Sequence, residues 1–487
     1  MITCSPVDEV EPQAFACLCH SPAFARLNAM VDRKFSRRSF LSGAAAGIGA
    51  AAFWPTQASA GIPDAPRAPI AFTNVKLFDG KSNRLIEGRR VVVDGNKIKS
   101  IEPTSDPVVN GTEVIDGGGR ILMPGLIDAH WHSMMAPLSM IDLMTADVGF
   151  INLTAAEEAR KTLMRGFTSI RDLAGPSFGL KRAIDAGLTP GPRIWPSGAM
   201  ISQTSGHGDF RLPYEVPAQI DAPLSRGEAI GGGMIADGAD QVLKRAREQL
   251  MLGASQLKLA AGGGVASNFD PIDVSQYTVA EFRAAVDAAE NWGTYVTVHA
   301  YTPRAIQTAV RGGVRCIDHG QLMDEETAKI LADKGIWFSS QAFLDNEYAN
   351  PYPQGSASRA KQITMFAGTD NAYGLAKKYK LKTAWGTDIL FDPKMTQNQG
   401  AILTTMTRWY SPDEVLVMAT GTNAELLAMS GPRNPYPGKL GVIEAGAYAD
   451  LLLVDGDPVA NIKLIADPEK NFKIIMKDGR IYKNTLA

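Results

Sequence analysis

The sequence predicts an α/β chain: a (β/α)8 TIM-type barrel with a small discontinuous β-sandwich domain made from both ends. Three observations lead there. Eight short apolar runs, between about Met123 and Ser430, alternate with stretches of helical periodicity. The polar residues that interrupt this pattern, mostly histidines, fall where the apolar runs end. Two segments of short strands closed by Asp-Gly turns flank the body.

The first 60 residues stand apart. "SRRSFLSGAAAGIGAAAFWPTQASA", Ser36 to Ala60, follows Arg33 and Lys34 and contains the pair Arg37-Arg38. It continues as a Gly/Ala-rich run ending in Ala58-Ser59-Ala60, a small-x-small cleavage signal. The twin arginine resembles a Tat export signal, so passage in the folded state to the periplasm or the exterior is expected. The alternative is an uncleaved amphipathic or anchoring segment. Met30 makes an ordinary start for such a leader, which gives residues 1–29 the look of an extension. They hold Cys4, Cys17, Cys19 and His20, yet "CLCH" has no second cluster to complete the four ligands of a structural zinc site. Beyond residue 60 only Cys316 remains, so no internal disulfide is expected and stability rests on a large core.

Residues 67–120 read as strands: "IAFTNVKLFDG", then "RRVVVDGNKIKSIEP" folded about Asp94-Gly95-Asn96. "ADLLLVDGDP" and "FKIIMKDGRIYKN" near the other end have the same character. Together they predict one small domain from residues 61–122 and 431–487. The barrel, 123–430, takes its strands from "GLIDAHWH", "FTSIRDL", "RIWPSGAMIS", "SQLKLAAGGG", "TYVTVHAY", "VRCIDHG", "IWFSSQAF" and "KTAWGTDIL". Stretches such as "TVAEFRAAVDAAENWG" and "MDEETAKILADKG" supply helices. A doubly wound open sheet would share this alternation, but eight units close naturally into a barrel.

Active-site groups of such a barrel lie at the C-terminal ends of its strands. His130 and His132 end the first run. Residues two apart on a strand share a face, so both imidazoles can reach one ion while Trp131 points away. His299, His319 and Asp388 end later runs, and His207 lies just after the third, so five of the six histidines fall at or just after strand ends. Imidazole with carboxylate suits Zn²⁺ or a similar first-row divalent ion. Lys258 sits inside an apolar strand, where an ammonium is unfavourable unless paired. It is a buried salt bridge, an outward-facing lysine, or a lysine turned by CO₂ into a bidentate carbamate. "AAGGGVAS" after it lacks the lysine and hydroxyl spacing of a phosphate-binding loop. The formal net charge of −2 gives no basic surplus for nucleic acid. The main body has no run apolar enough for a membrane span.

His130-x-His132, Lys258, His299, His319 and Asp388, with "LMPGLIDAHWH", "DEVLVMATGTNAELLAM" and "GVIEAGAYADLLLVD", resemble the amidohydrolase superfamily across residues 67–487. "ISQTSGHGD", "KLAAGGGV" and "VHAY" look like its branch of prolidase-like dipeptidases and ochratoxinase. The resemblance implies two divalent metals, with Zn²⁺ foremost. His130, His132 and Asp388 would hold the more buried one and His299 and His319 the other. Lys258, as N6-carboxylysine, would bridge them together with a hydroxide. It implies Asp388 as proton carrier, and His207 and Tyr301 as contacts to the substrate carbonyl or carboxylate. The implied substrates are N-acyl amino acids or dipeptides with a free C-terminus; ochratoxin A, cleaved to ochratoxin α and phenylalanine, is one such amide. Homo-oligomers, octamers among them, are also implied. A mononuclear imidazolonepropionase-type hydrolase or deaminase lacks the bridging lysine, and a non-catalytic barrel would have lost ligands. The loops "QTSGHGDFRLPYEVPAQI" and "AFLDNEYANPYPQGSAS" carry Phe210, Tyr214, Phe343, Tyr348 and Tyr352, which favour a bulky or aromatic substrate or else pack at contacts.

Overall fold

A computed structural model of the chain describes residues 68–217, 222–349 and 352–486. The leader and the "CLCH" cluster lie outside these residues. The small sheet is built around β1 (Ile70–Phe78), which pairs antiparallel with β2 (Leu85–Asp94) and parallel with β4 (Glu113–Asp116) and β5 (Ile121–Pro124). β2 turns at Gly95-Asn96 into β3 (Lys97–Pro103).

The barrel follows. β6 (Leu126–Trp131), β7 (Phe167–Asp172) and β8 (Arg193–Pro196) form one parallel run. β9 (Met200–Ser202) lies between β10 (Gly233–Ile235) and β11 (Leu257–Ala260). From β11 the parallel ladder continues through β12 (Val296–Ala300), β13 (Cys316–His319), β14 (Trp337–Ser340) and β15 (Thr383–Trp385).

All eight expected strands are present, but "RIWPSGAMIS" is two strands rather than one. Pro196 has no N–H to donate, so the ladder breaks there. Around the break, Ser197 N–H reaches Asp172 O (3.0 Å) and Ser255 N–H reaches Pro196 O (2.8 Å). The chain thereby passes from its pairing with β7 to its pairing with β11. The seam between β15 and β6 is closed mainly by Asn423, whose Nδ2 donates to both Ile127 O and Trp385 O at 2.8 Å. β10 was not expected from the sequence.

Helices separate the strands as predicted. Val279–Asn291 starts at Thr278, whose side chain caps Glu281 N–H while Glu281 reaches back, a reciprocal pairing. Its buried Phe282, Ala285, Val286 and Ala289 repeat at helical spacing and seal the barrel wall. Glu325–Asp333 is capped by Asp324.

The chain then returns to the small sheet. β16 (Leu451–Val454) pairs antiparallel with β5, and β17 (Phe472–Lys477) and β18 (Arg480–Asn484) continue outward. Both ends thus share one sheet. Its strands are hydrogen-bonded into one path, with β4 branching from β1, and they fold over a core of their own; Ile98 and the 446–447 backbone bond across its far side. Leu122, Leu451, Leu453, Ile474 and Met476 face its own core, while Ile121, Met123, Leu452, Val454 and Ile475 face the barrel core. Burial on both faces is why "ILMP" and "LLLV" are apolar at every position. No helix among the described residues is long and apolar enough to cross a membrane.

Candidate active site

The strand ends converge as expected. β6 supplies His130 and, one residue beyond its end, His132. Trp131 between them turns into the barrel core, as the two-residue repeat requires. The ring centroids of His130 lie 5.2 Å from His132 and 5.0 Å from His319, and those of His299 lie 4.4 Å from His319 and 4.0 Å from His207. Asp388 lies among them. Its Oδ1 is 2.9 Å from His132 Nε2 and 3.1 Å from His130 Nε2, and its Oδ2 is 3.8 Å from His319 Nδ1. Asp388 reaches this place because Gly386 lets the chain press against β6: a Cβ there would collide with the His130 backbone. Asp388 and His319 both have positive φ, 56° and 79°. Backbone strain of this kind gathers at functional sites.

Ligand atoms of His130, His319 and Asp388 lie within 4.8 Å of one another, a spacing a metal ion can bridge. His132 Nδ1 is buried without a hydrogen-bond partner. His299 Nε2 instead faces Gly263 O at 3.0 Å. Burial above all lowers the imidazoles, His130 to about 4 and His319 to about 3, with His299 also well below its ordinary value. These rings are neutral at physiological pH, the form that ligates metal. Burial alone would raise Asp388, but His130, His132 and His319 hold its carboxyl well below the usual range. The donor set therefore fits a divalent cation: neutral imidazoles, an ionised carboxylate and a buried nitrogen with no other partner.

Lys258 is 2 % exposed and points inward. Its Nζ donates to Asp318 Oδ2 at 2.6 Å, and Thr297 donates to the same oxygen at 2.8 Å. The other oxygen of Asp318 takes a 2.7 Å bond from Arg171, whose Nε also holds Ala129 O. Asp318 is buried, yet Lys258 and Arg171 outweigh desolvation and keep it far below the carboxylate range. Sequence reasoning missed Asp318 and Arg171. The alternation that aims His319 inward should turn Asp318 outward; positive φ at His319 is what lets two neighbours share the interior. A charge in the middle of "FTSIRDL" was the available signal for Arg171. Gln341, likewise missed, lies between His319 Nδ1 (2.7 Å) and His130 Nδ1 (3.1 Å). Asp128 takes bonds from the His130 and Thr387 backbones, Thr387 Oγ1 and Gln399, tying the first strand to the segment that carries Asp388. Burial raises its carboxyl to about 6 against those bonds.

His207 and Tyr301 stand at the edge of the histidine cluster. The Tyr301 ring lies 4.8 Å from His299 and 5.1 Å from His319, and burial, then the nearby Asp388 charge, keeps its phenol protonated. Above the cluster opens a cavity walled by Phe210, Phe343, Tyr348, Tyr352, Phe366 and Phe391. Four of the five loop aromatics expected to meet a substrate are in this wall. Tyr214 is not: it is 83 % exposed on the 213–215 turn. The backbone turns it to solvent, and nothing in residue type distinguishes it from the others.

Residues 121–482 match the model of the amidohydrolase family. Ochratoxinase from Aspergillus niger is 31 % identical over 373 residues, covering 74 % of this chain and 76 % of its own. A prolidase solved with N-methylphosphonate-L-proline superposes with a TM-score of 0.78 at 32 % identity, covering 86 % of this chain and all of that one. A Xaa-Pro dipeptidase with bound methionine in its active site gives 0.72 at 26 % identity with the same coverage. The chain belongs to the amidohydrolase family and is a hydrolase acting on amide bonds.

Proposed function

We propose that this protein is a binuclear, metal-dependent hydrolase of N-acyl amino acids or dipeptides with a free C-terminal carboxylate. One observation carries the reading: four imidazoles, Asp388 and Lys258 meet at the barrel mouth beneath an aromatic cavity. His130, His132 and Asp388 would hold one ion, His299 and His319 the second, and carboxylated Lys258 both. Bound there, divalent ions such as Zn²⁺ polarise the amide carbonyl and bring the pKa of water near neutrality. The ionised Asp388 accepts the proton of the attacking water and returns it to the departing nitrogen, which is otherwise a poor leaving group. Tyr301, a neutral phenol, donates to the developing oxyanion. His207 meets the substrate carboxylate, and the aromatic wall takes a bulky side chain or acyl group. The names of the relatives support this class: ochratoxinase, prolidase and Xaa-Pro dipeptidase.

A second reading has its own observation. The compact ligand group among the described residues is His130, His319 and Asp388, and Lys258 is satisfied by Asp318. That favours one metal and a structural lysine. Metal analysis with Lys258→Ala separates the two. The binuclear reading expects two metals per chain in the wild type, with loss of hydrolysis and lowered metal content in the variant. A fully active Lys258→Ala protein with unchanged metal content would sink it. Hydrolysis of N-acyl amino acids, Xaa-Pro, Xaa-Phe and Xaa-Arg dipeptides and ochratoxin A then ranks the substrates. The twin-arginine leader supports export, and a mature chain beginning at Gly61 would bear that out.

A further inference from the structure

Lys361 lies outside the catalytic cluster and does not line the cavity, yet its ammonium is nearly buried and fully used. It sits on the helix Ala357–Lys378, beyond the seventh barrel strand. Its Nζ donates to three backbone carbonyls of the loop beyond the fourth: Gly264 O (3.0 Å), Ser267 O (2.9 Å) and Asp270 O (2.7 Å). An ammonium has three protons, so this one spends all of them on a single loop.

That loop in turn holds His207, which comes from a third place, the segment after β9. His207 Nδ1 lies 2.6 Å from Ser267 Oγ and 3.3 Å from Asp270 Oδ2. Asp270, fully buried, takes further bonds from Ser267 Oγ (2.8 Å) and Gly264 N–H (2.7 Å). The Ser267 hydroxyl donates to Asp270, so its oxygen accepts from His207 Nδ1–H. The ring is thereby turned with Nε2 away from the loop. The fit is close: a Cβ on Gly264 would collide with the His207 ring, and one on Gly263 with Pro271 O. On its other face the ring stacks on His299 at 4.0 Å. Among the described residues lining the cavity, the sole lysine is Lys258, already paired with Asp318, and there is no arginine. His207 can donate to a substrate carboxylate only from Nε2–H, so with Nδ1–H on Ser267 it would bind one as the imidazolium, its charge facing Asp270. The neutral donors of the same wall include the phenols of Tyr301, Tyr348 and Tyr352.

We infer that Lys361 is a positioning residue for substrate binding: through the 264–270 loop and Asp270 it fixes the His207 imidazole that receives the substrate's carboxylate. The inference deepens the proposed function and rests on it for the identity of that carboxylate.

The test measures kcat and KM of the metal-loaded full chain on an N-acyl amino acid and on its C-terminal carboxamide. Wild type, His207→Ala, Lys361→Met and the double variant are compared. Lys361→Met is expected to raise KM for the carboxylate substrate about tenfold with kcat within about threefold. The preference for carboxylate over carboxamide should fall about tenfold in each single variant. The double variant should be no worse than His207→Ala, since both changes remove one interaction. Additive losses, or a fall in kcat at unchanged KM, would overturn the inference. If Lys361→Met does not fold, Asp270→Asn carries the same expectations. Imidazole ¹⁵N NMR reads the positioning without turnover. The His207 signal, identified by its absence from His207→Ala, should report a protonated Nδ1 in the wild type and a tautomer mixture in Lys361→Met. An unchanged signal overturns the clamp. A wild type that cleaves neither substrate, but shows this spectral change, overturns the carboxylate reading and leaves the clamp standing.

Discussion

Two of the places where this molecule buries charge solve it differently. Where the small sheet meets the barrel, Arg193 bonds to both oxygens of Asp450 (3.1 and 3.3 Å) and to Asp478 (2.6 Å). The Tyr448 ring lies 4.1 Å from the same guanidinium. No side-chain atom of Arg193, Asp450 or Asp478 is buried without a partner. At the barrel mouth, His132 Nδ1 and Asp172 Oδ1 are buried without one, and imidazoles crowd together as neutral rings. A cluster built for cohesion matches its donors and acceptors; a cluster built for chemistry leaves some open for what arrives.

The contrast can be broken by substitution, and the largest effect belongs to the mouth. Asp388→Asn removes the proposed proton carrier and metal ligand, so kcat is expected to fall by roughly 10³–10⁴, with lowered metal content in elemental analysis. Stability should change less than at the junction. Next comes Arg193→Ala, which strands buried Asp450 and is expected to destabilise by about 3–5 kcal/mol. Urea unfolding measures this, and kcat of the folded fraction should stay within about twofold of wild type. An Arg193→Ala protein of wild-type stability would erase the distinction between the two regions.

The smallest effect sharpens it. Burial brings the Lys477 ammonium at the junction down to about 8, with Arg193 adding to the fall and Asp450 and Asp478 opposing it. Between pH 8 and the ordinary lysine value, the unfolded chain holds more protons than the folded one. Stability therefore rises with pH across that window. Lys477→Met should flatten this rise and raise stability at pH 7 by about 1–3 kcal/mol, read from unfolding midpoints at pH 7 and pH 10.

Legibility in the sequence followed the range of the interaction. Barrel strands were visible because a doubly covered strand must be apolar throughout, and His130, His132, His299, His319 and Asp388 because polar residues at such ends are conspicuous. The broken third strand was hidden although Pro196 was in plain view, since only the neighbours show that the ladder changes partner there. Asp318 was hidden by a local exception to strand alternation. Asp270 and Lys361 were hidden for a different reason: they act on His207 from 63 residues away and from the helix beyond the seventh strand. Pattern reports what a segment does with itself and little of what loops do to one another.

The pairing of β5 with β16 joins Leu122 to Leu453 across most of the chain. On a ribosome, that sheet stays open until residues 451–454 have been made. Until then β5, Ile121 to Pro124, presents an apolar, unpaired edge of the sort that invites association. Closing so long a loop is entropically dearer than closing a 20-residue one by only about 2–3 kcal/mol, so timing rather than energy is the hazard. Synthesis that stalls short of residue 451 would leave a barrel with its base exposed. Strands β16 to β18 are a seal applied after the barrel, and a cell making this protein has reason to shield the chain until they arrive.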